Sequence, residues 1–156
     1  NNRLAWRSPH GERGEAKIGR APEIKDLKIV DSSKPVPYIL IVEDDRDQQD
    51  ILAIMLRSDG FEVGLAHNGV EALEQLRNRR PSLILADLMM PVMDGKQLLQ
   101  KLKSMPEFKD IPVVILTAID DETKELELLT QGARDYCIKA TQPRILLQKI
   151  RNHVSQ

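Results

Sequence analysis

Short apolar runs alternate with amphipathic stretches along most of the chain. Each run is four to six residues long, which suits a strand buried in a parallel sheet better than a free-standing helix. Between the runs, apolar residues recur at intervals of three and four, as in helices with one buried face. The pattern predicts strands at residues 38–42, 61–66, 83–86, 113–117 and 136–139, and helices at about 47–58, 70–79, 96–105, 122–131 and from 141 onward.

This alternation predicts an α/β fold in which five parallel strands form one sheet with helices on both faces. The second run places Phe61, Val63 and Leu65 at alternate positions, which indicates a strand at an edge of the sheet. Thr141 is the predicted N-cap of the last helix, because its hydroxyl can accept a hydrogen bond from the first helical turn.

Carboxylates stand where two of the predicted strands end. Asp87 follows the third run, and Glu43 and Asp44 follow the first. Open parallel sheets form their sites at the carboxyl ends of strands, so neighbouring first and third strands would bring these groups together. Carboxylates so close repel one another, and they must either raise a pKa or hold a cation. Oxygen-only ligands favour a hard divalent ion, and Mg²⁺ is the usual one with few carboxylates.

Composition favours a globular protein in a reducing compartment and gives no sign of a nucleic-acid or membrane partner. A 41% hydrophobic content supports a sizeable core, and a net charge of −1 gives no overall basic balance for a nucleic-acid partner. The single cysteine excludes an internal disulfide and fits a reducing compartment, which predicts a cytoplasmic location. No apolar run has the roughly 20 residues needed to span a bilayer, and the amino end lacks the apolar region of a signal peptide, so membrane insertion is not expected.

The first part of the chain differs from the rest. Residues 1–37 contain several Gly and Pro and carry 8 Lys/Arg against 5 Asp/Glu, which predicts a flexible tail or linker before a domain at 38–156. Two features of the tail are candidate contacts with a partner or a sheet edge: Trp6, the only Trp, and the apolar segment 27–30.

Four motifs occur in order along the predicted domain. Asp44 and Asp87 are 43 residues apart, Asp87 and Thr117 are 30 apart, and Thr117 and Lys139 are 22 apart. In sequence and spacing, residues 36–155 resemble the receiver domain of two-component response regulators. The motifs are Ile41-Val42-Glu43-Asp44-Asp45, Asp87-Leu88-Met89-Met90-Pro91-Val92-Met93-Asp94-Gly95, Val113-Val114-Ile115-Leu116-Thr117-Ala118 and Gly132-Ala133-Arg134-Asp135-Tyr136-Cys137-Ile138-Lys139.

The resemblance implies a flavodoxin-like strand order, 2-1-3-4-5, and a phosphoacceptor. By this resemblance Asp87 attacks phosphorus and carries the group as an acyl phosphate. It also implies an Mg²⁺ ion whose ligands are Glu43, Asp44, Asp87 and the backbone carbonyl of Met89. Asp45 lies outside this ligand set and suits the first turn of a helix, where the helix dipole favours a negative charge.

Three further residues take roles from the resemblance. Lys139 pairs with Asp87 and then with a phosphoryl oxygen, and the Thr117 hydroxyl donates to another oxygen of that group. Tyr136 moves between an outward and an inward position as Thr117 engages the phosphoryl group. Thr117 and Tyr136 are therefore the expected switch between the site and the surface of the fourth helix, fifth strand and fifth helix.

The implied function is a signalling receiver, which catalyses only its own phosphorylation and dephosphorylation and is not otherwise an enzyme. The phosphoryl donor is a histidine kinase or a histidine phosphotransfer protein, and the switched surface contacts a downstream effector protein. That surface could also support a homodimer. No DNA-binding module follows the last helix, so we expect either a stand-alone receiver or the receiver portion of a longer sensor kinase.

Two departures from the family pattern carry expectations of their own. Ala140 follows Lys139 where the family usually has Pro, often after a cis bond. A cis bond before a residue other than Pro costs about 3–4 kcal/mol, so we expect a trans bond and a reshaped loop. Met89 and Ile119 occupy positions that flank the phosphoryl group in this family, and neither orients water well. Slow self-hydrolysis of the aspartyl phosphate is the expected consequence.

Two other functions remain open from the sequence. A phosphotransferase of the haloacid dehalogenase type also forms an aspartyl phosphate, but it needs a second Asp two residues after the nucleophile, where this chain has Met89. A receiver-shaped interaction module that is never phosphorylated is the other alternative. The set of Asp44, Asp87, Thr117 and Lys139 argues against it, and Ala140 favours it.

Overall fold

The computed structural model describes residues 36–154. The predictions for Trp6, for segment 27–30 and for nearly all of the tail lie outside the described residues. Ten elements alternate along the described part. The strands are β1 (Tyr38–Val42), β2 (Glu62–Ala66), β3 (Leu83–Asp87), β4 (Val113–Thr117) and β5 (Asp135–Ile138). The helices are α1 (Arg46–Ser58), α2 (Gly69–Leu76), α3 (Gly95–Lys103), α4 (Glu122–Thr130) and α5 (Pro143–Val154).

The five strands form one parallel sheet in the order β2-β1-β3-β4-β5. This confirms the flavodoxin-like α/β class and the strand order. β2 lies at an edge, as its alternating pattern predicted, and only its last residue, Ala66, is buried. β1, β3 and β4 are flanked on both sides and read as continuous apolar runs, as expected for strands buried on both faces.

Alternate residues of each strand pack against opposite faces of the sheet, because successive side chains of a strand point in opposite directions. Leu40, Ile84 and Ile115 belong to a core with residues of α2, α3 and α4. Ile41 and Leu85 belong to a second core with residues of α1 and α5. The sheet is therefore wound on both sides, and the carboxyl ends of its strands form one edge. Among residues 36–154, every helix is too short or too polar to cross a bilayer.

Three predicted helix boundaries differ from the structure by two or three residues: the end of α3, which is Lys103 and not Met105, the end of α2, and the start of α5. α2 ends at Leu76 and not near residue 79, because Arg77 and Asn78 donate to carbonyls three residues back and tighten the last turn. The basic side chains that follow have tertiary partners instead. Arg79 pairs with Glu62 of β2 and lies 4.0 Å from the centroid of the Tyr38 ring. Arg79 makes these contacts from a position beyond the end of α2.

The last helix begins two residues later than predicted. The carbonyl of Gln142, and not that of Thr141, accepts the N–H of Leu146 at 3.2 Å, so Gln142 is the residue before the first helical position. Pro143 then opens α5. Its missing N–H costs nothing there, and its fixed φ suits the first turn. The N–H of Thr141 instead donates to the Ile138 carbonyl at 2.8 Å and closes a turn.

Candidate functional site

An acidic pocket lies at the carboxyl edge of the sheet. β1 and β3 are neighbours, with Val42 paired to Ala86, so Glu43 and Asp87 come side by side where the pairing ends. Oxygens of Glu43, Asp44 and Asp87 all lie within 4.8 Å of one another, and no other group of this kind occurs in residues 36–154. Glu43 is 2% exposed and Asp87 5%, whereas Asp44 is exposed to solvent.

The carboxylate of Asp87 has a different partner on each oxygen. Oδ1 accepts the backbone N–H of Met89 at 3.3 Å, and Oδ2 lies 3.3 Å from the Nζ of Lys139. The first turn of α3 packs closely behind it. A Cβ on Gly95 would lie 2.6 Å from the backbone oxygen of Asp87, and the N–H of Gly95 donates to the Leu88 carbonyl at 2.9 Å. A residue without a side chain is therefore required there.

Between β3 and α3 the chain makes a strained turn. Val92 has a φ of 70°, and the N–H of Met93 donates to the Pro91 carbonyl at 2.8 Å. A positive φ with a bond from residue i to i+2 defines the less common type of γ-turn. For a β-branched residue this backbone costs on the order of 1–3 kcal/mol. The strain lies in the loop that directs the chain from Asp87 into α3.

Sheet pairing fixes the backbone of Lys139. Its N–H donates to the Thr117 carbonyl at 2.6 Å, and a turn that spans Ala140 closes just beyond it. The bond from Lys139 to Ala140 is trans, as expected for a residue other than Pro. The Lys139 ammonium lies 3.2 Å from Glu43 Oε2 and 3.3 Å from Asp87 Oδ2, and it donates to Gln48 Oε1 at 2.6 Å.

Negative charge exceeds positive charge in the pocket. Burial, and then repulsion from Asp87, raise the pKa of Glu43 from an ordinary 4.5 to about 7, although Lys139 partly offsets this. Burial alone would lower the pKa of Lys139, but Asp87 and Glu43 outweigh it and the net shift is upward. Glu43 Oε2 lies outside hydrogen-bond geometry with Lys139 and has no hydrogen-bond partner. One ammonium therefore leaves this pocket short of positive charge.

A divalent cation fits this set of donors. Carboxylate oxygens are hard ligands, two of the three carboxylates are buried, and Glu43 offers an oxygen that accepts no hydrogen bond. A bound cation would stabilise the ionised form of Glu43, which burial disfavours. Met89 lies in the loop directly after β3, two residues beyond Asp87, where its carbonyl is the remaining predicted ligand.

Thr117 and Tyr136 both form hydrogen bonds with the backbone of Ile119. Thr117 is fully buried at the end of β4, and its Oγ1 accepts the N–H of Ile119 at 3.1 Å. Tyr136 is 4% exposed, so its ring points inward, and its hydroxyl donates to the carbonyl of Ile119 at 2.9 Å. Burial, followed by the negative charge of Asp121, raises the pKa of Tyr136. Ile119 thus joins the two residues predicted to form the switch.

Three other acidic residues near this edge are the N-caps of helices. Asp45 accepts the N–H of Gln48 at 3.1 Å as the N-cap of α1, which confirms its predicted place at a helix start. Asp94 and Asp121 cap α3 and α4 in the same way. These three carboxylates stabilise the first turns of the helices next to the pocket.

Sequence reasoning missed two contributors to the site. Gln48 lies in the first turn of α1, and its contact with Lys139 joins two distant parts of the sequence. Gly95 belongs to one of the sequence motifs, but its close approach to the backbone of Asp87 depends on how α3 packs on β3. No local pattern carries that information.

Comparisons with known proteins agree with this arrangement. The family model described as response regulator receiver domain matches residues 39–151. The response regulator MprA of Mycobacterium ulcerans is 39% identical over 113 residues, or 72% of this chain and 48% of MprA. The sensor histidine kinase TmoS of Ectopseudomonas mendocina is 36% identical over 119 residues, or 76% of this chain and 12% of the kinase. The chain thus spans less than half the length of either relative.

One similar solved structure is the receiver domain of the sensor histidine kinase PA1611 from Pseudomonas aeruginosa PAO1, which has a magnesium ion coordinated in its active-site cleft. It is 27% identical to this chain, with a TM-score of 0.71, and the match covers 78% of this chain and 100% of that domain.

Proposed function

The chain belongs to the receiver-domain family of two-component response regulators, and on this basis we propose that Asp87 accepts a phosphoryl group from a phosphohistidine. The donor is a histidine kinase or a histidine phosphotransfer protein. The observation that carries the proposal is the position of Asp87, which is nearly buried at the carboxyl edge of the sheet with two further carboxylates and the Lys139 ammonium around it. Such a site can hold both a nucleophile and the charge that phosphoryl transfer brings.

The transfer exchanges one bond to phosphorus for another. A carboxylate oxygen of Asp87 forms an O–P bond while the P–N bond to the donor imidazole breaks, and the ring nitrogen keeps the electron pair and takes up a proton. The product is an acyl phosphate on Asp87 and a neutral histidine on the donor. Acid–base help from the receiver is not needed, so the side chains around Asp87 act mainly by position and charge.

Mg²⁺ is the proposed cofactor, and Glu43, Asp44, Asp87 and the backbone carbonyl of Met89 are its proposed ligands. When bound, the ion neutralises part of the charge on the carboxylates and on the transferring group. The Glu43 oxygen that accepts no hydrogen bond supports the ligand set, and the magnesium in the PA1611 receiver domain supports the choice of ion.

Lys139 and Thr117 have proposed roles after transfer. The Lys139 ammonium exchanges its contact with Asp87 for a phosphoryl oxygen, and the Thr117 hydroxyl, whose oxygen accepts from Ile119, donates its proton to a second phosphoryl oxygen. Because Ile119 accepts from Tyr136 and donates to Thr117, movement of Thr117 changes the environment of Tyr136. We propose that this links the site to the surface of α4, β5 and α5, where an effector protein binds. A homodimer through this surface stays a prediction.

The proposed setting is the cytoplasm, where the single cysteine would remain reduced. The match to a small part of a sensor kinase supports the idea that this receiver works within a longer kinase, and the match to MprA equally supports a response regulator.

The test is the intact mass of the protein after incubation with acetyl phosphate and Mg²⁺. We expect one phosphoryl group on the wild type, none on Asp87→Asn, and none on the wild type without a divalent ion. Asp45→Asn is the matched control, because Asn still caps α1 and Asp45 is not among the clustered carboxylates. An adduct that persists in Asp87→Asn contradicts the assignment of Asp87. A folded wild type that gains no phosphoryl group from acetyl phosphate or from purified phosphohistidine donors favours the unphosphorylated interaction module.

A further inference from the structure

We propose that Gln48 is a positioning residue for Lys139, holding its ammonium group beside Asp87 through a hydrogen bond from α1. The proposal rests on the proposed function of Asp87, because it concerns the lysine that serves that site. Gln48 is not a member of the acidic cluster, and its role would be to act through Lys139 alone.

The contact of Lys139 with Gln48 differs in distance and geometry from its contacts with the two carboxylates. Its Oε1 lies 2.6 Å from the Lys139 Nζ, against 3.2 Å for Glu43 Oε2 and 3.3 Å for Asp87 Oδ2. Within the described part of the chain, the contact with Gln48 is the one that has hydrogen-bond geometry, while the carboxylates are ion-pair partners at longer range. α1 therefore supplies the shortest contact of the ammonium, in addition to its two ion pairs.

The loop after Lys139 does not by itself fix the orientation of the Lys139 side chain, so a contact at the ammonium end has to do so. Its backbone is held by the Thr117 carbonyl, but the four-carbon stem rotates freely unless its end is bound. Ala140 brings no ring that would restrict the loop further. Two carboxylates at nearly equal distances attract the ammonium without selecting one orientation. A third acceptor, in a different direction, selects one.

The surroundings of Gln48 suit this role. Its backbone N–H donates to the N-cap Asp45 at 3.1 Å, so the helix turn that carries it is fixed. Beside Gln48 and Lys139 there is a cavity of about 210 Å³, whose other walls are the apolar side chains of Ile51, Leu52, Leu116 and Leu146. Gln48 is exposed to solvent, and among the residues that line this cavity it is the polar acceptor for the ammonium.

Gln48 is also neutral, and this matters for the reaction. Asp87 loses its negative charge to the acyl phosphate, and Glu43 would be drawn to a cation, so both ion pairs of the lysine change during transfer. The bond to Gln48 depends on neither carboxylate. It can therefore keep the ammonium in reach of the new phosphoryl oxygens throughout the transfer.

The first test measures the rate constant of Asp87 phosphorylation by acetyl phosphate at saturating Mg²⁺. We expect Gln48→Ala to lower it by about 3- to 10-fold, which corresponds to roughly 0.7–1.4 kcal/mol in the barrier. Ile51→Ala, which removes a side chain from the same cavity without touching a polar contact, should leave the rate unchanged. In a Lys139→Ala background, Gln48→Ala should have no further effect. A further loss there, or an unchanged rate in the single variant, overturns the inference.

The second test does not depend on phosphorylation. The ¹⁵N-labelled Lys139 ammonium group, assigned with Lys139→Arg, should exchange its protons with water slowly in the wild type and faster in Gln48→Ala, with Ile51→Ala like the wild type. If the wild type is not phosphorylated, the proposed function fails while this signal still tests the hydrogen bond. If the ammonium signal is the same in the wild type and in Gln48→Ala, the positioning role is wrong even where Asp87 is phosphorylated.

Discussion

Glu43 is the carboxylate of the pocket whose negative charge is disfavoured by its surroundings. Its side chain is nearly inaccessible, Asp87 repels it, and one of its oxygens has no hydrogen-bond partner. Because its pKa is raised to about 7 in the folded protein and is about 4.5 when unfolded, the folded state holds the proton more tightly. The associated stability is fully present below pH about 4.5 and is lost as the pH rises through about 7.

This shift predicts that the protein without Mg²⁺ becomes less stable between pH 5 and pH 8. The free energy of unfolding should fall by on the order of 2 kcal/mol over this range, and by less in Glu43→Gln. Saturating Mg²⁺ should reduce the fall in the wild type, because a cation stabilises the ionised carboxylate. Urea unfolding at several pH values measures this free energy of unfolding, and Glu74→Gln, at an exposed position, is the control. Equal pH dependence in the wild type and Glu43→Gln would refute the prediction.

Met89 and Ile119 set the expected lifetime of the phosphorylated state. Their side chains are 62% and 46% exposed near the pocket, and both lack a group that could orient a water molecule for attack. We expect the aspartyl phosphate to last minutes or longer in the presence of Mg²⁺, and Met89→Asn to shorten its lifetime several-fold. Loss of the phosphoryl mass with time measures both. A wild-type lifetime of seconds would contradict this prediction.

At the scale of single residues, the sequence predicted the members of the pocket better than their contacts. Asp87 and Glu43 could be placed because each follows a buried strand, and the two strands are neighbours. The interval from Thr117 indicated Lys139, although Ala140 replaces the usual Pro. The bond between Gln48 and Lys139 joins residues 91 positions apart, and it depends on how the start of α1 and the end of β5 come together in the folded chain. Pattern and spacing within one element do not contain that distance.

At the scale of elements, the junction between β3 and α3 positions the acceptor. α3 begins with a capping box between Asp94 and Gln97, and Gly95 lies against the backbone of Asp87 and Leu88. The helix can approach this closely only because Gly95 has no side chain. A shift of α3 would therefore be transmitted directly to the carboxylate that we propose as the phosphoacceptor.

Gly95→Ala should destabilise the protein by about 1–3 kcal/mol, because its Cβ meets backbone atoms that cannot rotate away. Gly69→Ala is the matched control. It is also the first residue of a helix, but the atoms nearest to its Cβ would be side-chain atoms of Met93, with Cγ and Sδ at 2.7 Å and Cβ at 2.9 Å. We expect a smaller loss of stability there than in Gly95→Ala, because a side chain can shift more readily than the backbone. Urea unfolding of both variants measures the difference, and equal stability of the two would show that the approach of α3 is not a constraint.

Element boundaries could be predicted where a local signal marks them. The strands agree with their apolar runs to within one residue, because burial on both faces leaves no ambiguity of period. The end of α2 could not be predicted, since Arg79 leaves the helix for Glu62 and Tyr38, which lie on other elements. The start of α5 had a signal in Pro143, which suits the first helical position better than Thr141 suits the cap.

At the scale of the whole molecule, one sheet supports both the site and the surface that we propose it controls. β1, β3, β4 and β5 bring the acidic residues, Thr117 and Lys139 to the same edge, while Tyr136 packs into the core facing α4. Ile119 lies between the site and that helix, and its backbone contacts both Thr117 and Tyr136. Thr117, Ile119 and Tyr136 are therefore joined by hydrogen bonds, and we propose that phosphorylation of Asp87 acts on α4 through them.

The central claim is that Asp87 carries the phosphoryl group. Its most direct test is borohydride reduction after incubation with acetyl phosphate and Mg²⁺, since hydride converts an aspartyl phosphate to homoserine and leaves free aspartate unchanged. Peptide mass mapping should find homoserine at position 87 and at no other aspartate, including Asp44 and Asp45. Homoserine at another position, or none in a protein whose intact mass shows the adduct, would contradict the account.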